Sequence, residues 1–183
     1  MKTNRLSKAV EDILNKQVAK EANAAQIYLS YATWADDQGY AGVANLLFRH
    51  SQEERNHMTK VIEYIMNRGG RAKITALNAP PKDPKSLLEC FENIFKHEVD
   101  NSNAIYKIVS LAQDEKDWAT YNFGQWFVKE QIEEETLVMD ILDMLKIAGG
   151  EKATDESLLY FDNKMGEKDD EADLARNVTA DMP

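Results

Sequence analysis

In the stretch HSQEERNHM, residues 50–58, Glu54 and His57 stand three apart, which puts a carboxylate and an imidazole on one face of a helix. Val43, Leu47, Val61 and Tyr64 recur on that face, so the pair interrupts a stripe that a folded chain buries. Taken alone, such a pair is more often a polar contact satisfied inside a core than a reactive group. The rest of the chain changes that reading. Glu21 falls in phase with Leu14, Val18, Ala25 and Tyr28, and Glu98 falls in phase with Phe91, Ile94 and Ile105. Gln131 and Glu134 sit between Phe127 and Val138. Each interruption lies near the middle of its periodic segment.

The interruptions repeat. Glu21 and Glu54 are 33 residues apart, as are Glu98 and Gln131, and a shift of 77 carries Glu21, Glu53, Glu54 and His57 onto Glu98, Glu130, Gln131 and Glu134. Two copies of one hairpin, related by a pseudo-twofold axis, bring both polar sets to the same height. Several carboxylates buried together repel and lose hydration, which leaves protonation, pairing with Lys or Arg, or a bound cation as resolutions. The buried faces carry no Lys or Arg, so a metal is the expected partner. Carboxylates with a single imidazole suit iron or manganese and lack the His and Cys content usual for zinc. The pattern is close to the di-iron carboxylate bundle, in which two helices give a Glu each and two give Glu-x-x-His, with the second motif altered here to Gln131-x-x-Glu134.

Four long helical segments must position these groups. Their expected limits are about Arg5 to Asp36, Ala41 to Arg68, Pro84 to Gln113, and from the acidic turn Asp114–Asp117 to Gly149-Gly150. That turn reads as a helix cap rather than a site. A short fifth helix is expected near Asp155 to Met165, its Leu158, Leu159 and Phe161 burying little on their own bundle and packing instead at a symmetry axis. No segment alternates like a strand, so the class is all-α. Short joints force two antiparallel hairpins, and RGGRAKITALNAPPKDP is long enough to run the length of a bundle and leave the second and third helices parallel. A four-helix bundle with one long crossover is the ferritin-like arrangement.

The 183 residues, 43% of them hydrophobic, fit one domain over 1–165 followed by a polar tail at 166–183 that is expected to fray. No apolar run approaches the ~20 residues of a membrane span, and MKTNRLSKAVED lacks the apolar core of a signal peptide. A soluble, cytoplasmic protein is the expectation. Cys90 is the only cysteine, which excludes an intrachain disulfide and a thiolate metal cage. The net charge of −10 disfavours nucleic acid and anionic membranes as partners and accords with attraction of cations.

From Lys8 to about Lys164 the chain resembles the non-haem bacterial ferritins. The motifs that carry the likeness are Glu21 with Tyr28 seven later, QEERNHM, KHE at 96–98, NFGQWFVKEQIEEE at 122–135 and LLYF in the fifth helix. The resemblance implies an iron-storage homo-oligomer, a 24-subunit shell with a ferroxidase centre in each subunit that oxidises Fe(II) with dioxygen or hydrogen peroxide. By position, Glu21, Glu54 and His57 would hold one iron and Glu54, Glu98 and Glu134 the other. Gln131 would be a hydrogen-bonding neighbour and Tyr28 a hydrogen-bonding or electron-donating one. Trp126, one turn before Glu130, is a weaker candidate for the same role. Glu53, Glu130 and Glu133, with Glu134 shared, match a third iron site. His50 and His97 read as structural. Haem is not expected, because Arg55 stands where bacterioferritins place a haem-ligating Met. Tyr121 and Gly124 stand where animal ferritins place the acids of their three-fold channels. The alternative reading is a rubrerythrin-like peroxidase without mineral storage; it lacks support from rubredoxin cysteines.

Overall fold

A computed structural model of the chain describes residues 4–167. Among them are five α-helices and no strand: α1 Lys8–Asp37, α2 Ala41–Asn67, α3 Leu87–Asp114, α4 Trp118–Ile147 and α5 Asp155–Gly166, the last preceded by a short 3-10 turn at Gly150–Lys152. The all-α class and the four-helix bundle with a short fifth helix are as expected. Most of the expected tail lies outside the described residues.

Local chemistry sets the helix ends. α1 starts three residues later than its periodicity suggests because the Ser7 hydroxyl accepts from Val10 N at 3.1 Å and caps it. Asp117 caps α4 in the same way through Thr120 N, which is the capping role read into the acidic turn. Just past the end of α2, Gly69 has a φ of 80°, a left-handed backbone that a side chain would strain, and Gly70 N closes onto Ile65 O at 2.9 Å.

The core is in two parts. One apolar cluster joins the C-terminal half of α1 (Tyr31, Ala35), the N-terminal half of α2 (Val43, Leu47), the start of α3 (Phe91, Ile94) and the end of α4 (Ile141, Leu145). The other joins Leu14 and Val18 of α1, Val61 and Ile65 of α2, Ile105 and Ile108 of α3 and Phe127 of α4. α2 and α3 thus both begin at the first cluster and end at the second, so they run parallel, and the stretch between them returns along the bundle. Its path is pinned to α1. Asn15 Nδ2 donates to Arg71 O at 3.1 Å, Asn15 Oδ1 accepts from Lys73 N at 2.6 Å, and Asn23 Oδ1 accepts from Asn78 N at 3.0 Å. Cys90 is buried in the first cluster, where burial pushes its thiol up to about 12, so it stays protonated.

α5 corrects one expectation. Phe161 is buried in the chain's own core, edge-on to Phe91 at 6.3 Å, with Met165 beside it and Leu158 packed against the same cluster. Of its large hydrophobic side chains only Leu159 and Tyr160 face outward, 62% and 65% exposed. The periodicity of α5 shows an apolar side but not the carboxylate that docks it. Asp162 accepts from Gly42 N at 3.1 Å and Val43 N at 2.8 Å, supplying the cap that Tyr40 does not give α2. The approach is close enough that a Cβ on Gly42 would stand 1.9 Å from Asp162 O.

Candidate metal centre

Between the two apolar clusters lies a belt of buried polar groups, with every helix of the bundle contributing. Glu21, Glu54, His57, Glu98, Gln131 and Glu134 are all buried there. Single donor atoms of Glu21, Glu54 and His57 lie within 4.8 Å of one another, as do those of His50, Glu53 and Glu134, and those of Glu53, His57 and Glu130. The imidazole of His57 spans two carboxylates: Nδ1 is 3.8 Å from Glu54 Oε2 and Nε2 is 3.6 Å from Glu130 Oε1. Trp126 and Phe127 stand edge-on to that ring and fix its plane, and Lys60 Nζ sits 3.8 Å from the Trp126 centroid.

An amide network holds two of the carboxylates. Gln17 Nε2 donates to Glu21 Oε1 at 2.6 Å and to Asn101 Oδ1 at 2.8 Å. Asn101 Nδ2 donates to Gln131 Oε1 at 3.2 Å and reaches Glu21 Oε2 at 3.4 Å. Gln131 Nε2 in turn donates to Glu98 Oε2 at 3.2 Å and to Ser102 Oγ at 3.4 Å. Tyr28 closes the other side of Glu98, its hydroxyl donating to Oε1 at 2.7 Å. Glu98 is therefore satisfied: burial pushes its pKa up, but His97, the Tyr28 phenol and the Gln131 amide outweigh burial and hold it below the usual range.

Other groups are left without such partners. Glu54 Oε2, both ring nitrogens of His57 and Glu134 Oε2 are buried with no hydrogen bond. Burial, with the charge of Glu21 behind it, drives the Glu54 carboxyl well above its ordinary value; burial, with Glu98 and Glu53, does the same to Glu134. For His57 burial lowers the pKa, yet the carboxylates of Glu130 and Glu54 prevail and raise it. Buried polar atoms are almost always partnered. Oxygen and nitrogen lone pairs that converge at mid-bundle and repel one another are the donor set a divalent cation would satisfy.

Not every expected residue joins the belt. Glu133 is half-exposed and lies 3.3 Å from Lys129 Nζ, in none of the three donor clusters. His50, read as structural, is brought inside. Gln17, Asn101 and Ser102 were missed as well, although a signal existed: Asn101 lies three residues after Glu98 and four before Ile105, on the apolar face of α3.

The bundle and its central belt define a class, and comparison with known proteins agrees. Residues 11–148 match the ferritin-like domain, and the chain belongs to that family. A probable bacterial non-heme ferritin-like protein of Haemophilus influenzae is 37% identical over 161 residues, covering 88% of this chain and 96% of its own. A bacterial non-heme ferritin of Campylobacter jejuni is 38% identical over 144 residues, 79% of this chain and 86% of its own. Among solved structures, an open-pore ferritin of the hyperthermophilic archaeon Archaeoglobus fulgidus superposes with a TM-score of 0.86 at 36% identity, over 91% of this chain and all of that one. No helix among the described residues is long and apolar enough to cross a membrane.

Proposed function

We propose that the protein is an iron-storing ferroxidase of the cytoplasm. Fe(II) binds in pairs at the belt and is oxidised by dioxygen or hydrogen peroxide, and the Fe(III) passes into the cavity of a homo-oligomeric 24-subunit shell. Glu21, Glu54 and His57 hold one iron; Glu54, Glu98 and Glu134 hold the other, with Glu54 bridging. The observation that carries this reading is the set of buried lone pairs on Glu54, His57 and Glu134 that have no protein partner.

The chemistry follows from the placement. Each Fe(II) gives up one electron, so a bound pair delivers the two that reduce dioxygen, with two protons, to hydrogen peroxide, or reduce hydrogen peroxide, with two protons, to water. Carboxylate donors favour Fe(III) over Fe(II), because hard anionic oxygens stabilise the higher charge. Held side by side, the irons meet one oxidant together instead of by successive collisions. Gln131 and Tyr28 keep Glu98 in one orientation while its charge partner changes. The Tyr28 phenol is raised well above its ordinary pKa by burial and by Glu98, so it remains a donor at neutral pH.

Aerobic Fe(II) titration of the purified protein with particle sizing tests this. Fast ferric absorbance together with iron retained in shell-sized particles is the expected result. Oxidation without a retained core would favour the peroxidase reading, and iron uptake no greater than background would remove the proposal.

A further inference from the structure

We propose that Glu135 is a positioning residue for the belt: by taking the one proton of the Ser102 hydroxyl, it sets the direction of the amide chain that holds Glu98 and Glu21. This rests on the reading of the belt as a metal centre, and it adds a residue that touches no ion.

Proton counting gives the direction. A carboxylate only accepts, so the Ser102 hydroxyl donates to Glu135 Oε1. Ser102 Oγ then has lone pairs and no proton left for Gln131, which must turn its amide nitrogen toward it, at 3.4 Å. The same nitrogen faces Glu98 Oε2 at 3.2 Å, which leaves Gln131 Oε1 to accept from Asn101 Nδ2 at 3.2 Å. Asn101 Oδ1 in turn accepts from Gln17 Nε2 at 2.8 Å, and Gln17 Nε2 donates to Glu21 Oε1 at 2.6 Å. A turned-over Gln131 would set its oxygen against the Glu98 carboxylate and its nitrogen against Asn101 Nδ2, so Asn101 and Gln17 would have to turn as well. Buried chains of this kind reinforce one another. Glu98 favours the observed orientation by itself only while its charge is free. Once a cation takes that charge, the Ser102 lone pair still requires a nitrogen in that place.

The repeat supplies a second observation. Under the shift of 77 residues that relates the hairpins, Ser102 falls on Ala25 and Glu135 on Met58, just as Gln131 falls on Glu54 and Asn101 on Ala24. The hydroxyl and the acid thus stand only in the hairpin that has an amide to orient. Ser102 is buried one turn beyond Glu98 on α3, and Glu135 is half-buried one turn beyond Gln131 on α4, so the two meet at one level beside the belt. An acid placed only to attract cations needs no buried hydroxyl as its partner.

Steady-state Fe(II) oxidation by Glu135→Gln, Ser102→Ala and the double variant of the full chain, with neutron diffraction from deuterium-exchanged, metal-free wild type, tests the assignment. Each single change is expected to lower kcat about 10-fold with KM unchanged, and the double change to lower it no further, because both break one contact. Unchanged kcat, a raised KM alone, which marks lost attraction of cations, or losses that multiply in the double variant would overturn the proposal. Should the variants fail to fold, the wild-type map decides: a Ser102 deuteron on Glu135 with the deuterated amide of Gln131 facing Glu98 supports the assignment, and a Ser102 deuteron pointing at Gln131 sinks it. Wild type that does not oxidise Fe(II) rapidly would remove the ferroxidase reading, while the map would still decide the direction of the chain.

Discussion

The two hairpins of the bundle are copies in sequence and opposites in chemistry. On α1 and α2 the repeat carries Glu53, Glu54 and His57; on α3 and α4 the same places hold Glu130, Gln131 and Glu134. Gln131, the counterpart of Glu54, spends its amide on Asn101, Glu98 and Ser102. Glu54 and His57 leave lone pairs open. The second hairpin satisfies Glu98 and Gln131 internally and leaves only Glu134 Oε2 open, whereas the first holds Glu21 through Gln17 and leaves Glu54 Oε2 and both nitrogens of His57 without a hydrogen bond. A neutral amide at one of two equivalent places removes a like charge from the belt while fixing the Glu98 carboxylate, so the proposed iron pair would be drawn toward Glu54 and His57 without the whole belt having to be anionic. The first hairpin also caps its second helix with α5, through Asp162 on the α2 N-terminus.

The largest effect should come from the open half. Glu54→Ala or His57→Ala is expected to abolish rapid Fe(II) oxidation while the metal-free bundle still folds, because either change removes a donor and relieves buried repulsion. Stopped-flow absorbance and circular dichroism check the two statements. The matching change in the closed half, Gln131→Ala, removes a support and not a donor. It is expected to slow oxidation by roughly 10–100-fold while pair binding by anaerobic titration persists. Equal loss in both halves would erase the distinction between them.

The docked helix gives a third contrast. Gly42→Ala drives a methyl group into Asp162 O and should cost about 1–3 kcal/mol, read as a lower denaturation midpoint. Asp162→Ala, which removes only the cap, should cost about 1–2 kcal/mol.

The smallest effect concerns pH. Glu54 and Glu134 have folded pKa values raised above 4.5, and His57 is raised above 6.5. Their contribution to stability is fully present below the unfolded values and is lost as pH rises through the folded ones. Glu98, lowered, acts oppositely: its contribution is present above 4.5 and is lost as pH falls through the folded value. Above 4.5 the raised groups dominate. The metal-free protein should therefore melt roughly 2–4 °C lower for each kcal/mol lost as pH is raised from 5 toward 8, and saturating Zn(II) should flatten the trend. A melting temperature that rises over this interval without metal would contradict the assignment of the open groups.

Much of this was legible in the sequence because helical period and spacing are local quantities. The in-phase placement of Glu21, Glu54, His57, Glu98, Gln131 and Glu134 marked the belt, and the lengths of the joints fixed the topology. What escaped depends on contacts between helices. Nothing in the order of residues says that Asn101 meets Gln17 and Gln131, or that Asp162 reaches the α2 N-terminus from 120 residues away. The sequence reads His50 as structural, and its approach to Glu134 on α4 appears only when the helices pack. A run of three glutamates does not reveal that Glu133 stands half-exposed beside a lysine on its own helix.

Iron is expected to settle between the two hairpins, at the belt. Iron-edge anomalous diffraction from crystals loaded anaerobically with Fe(II) measures this directly. Adjacent peaks are expected, one against Glu21, Glu54 and His57 and the other against Glu54, Glu98 and Glu134; an empty belt with iron bound only at the surface would contradict the proposed centre.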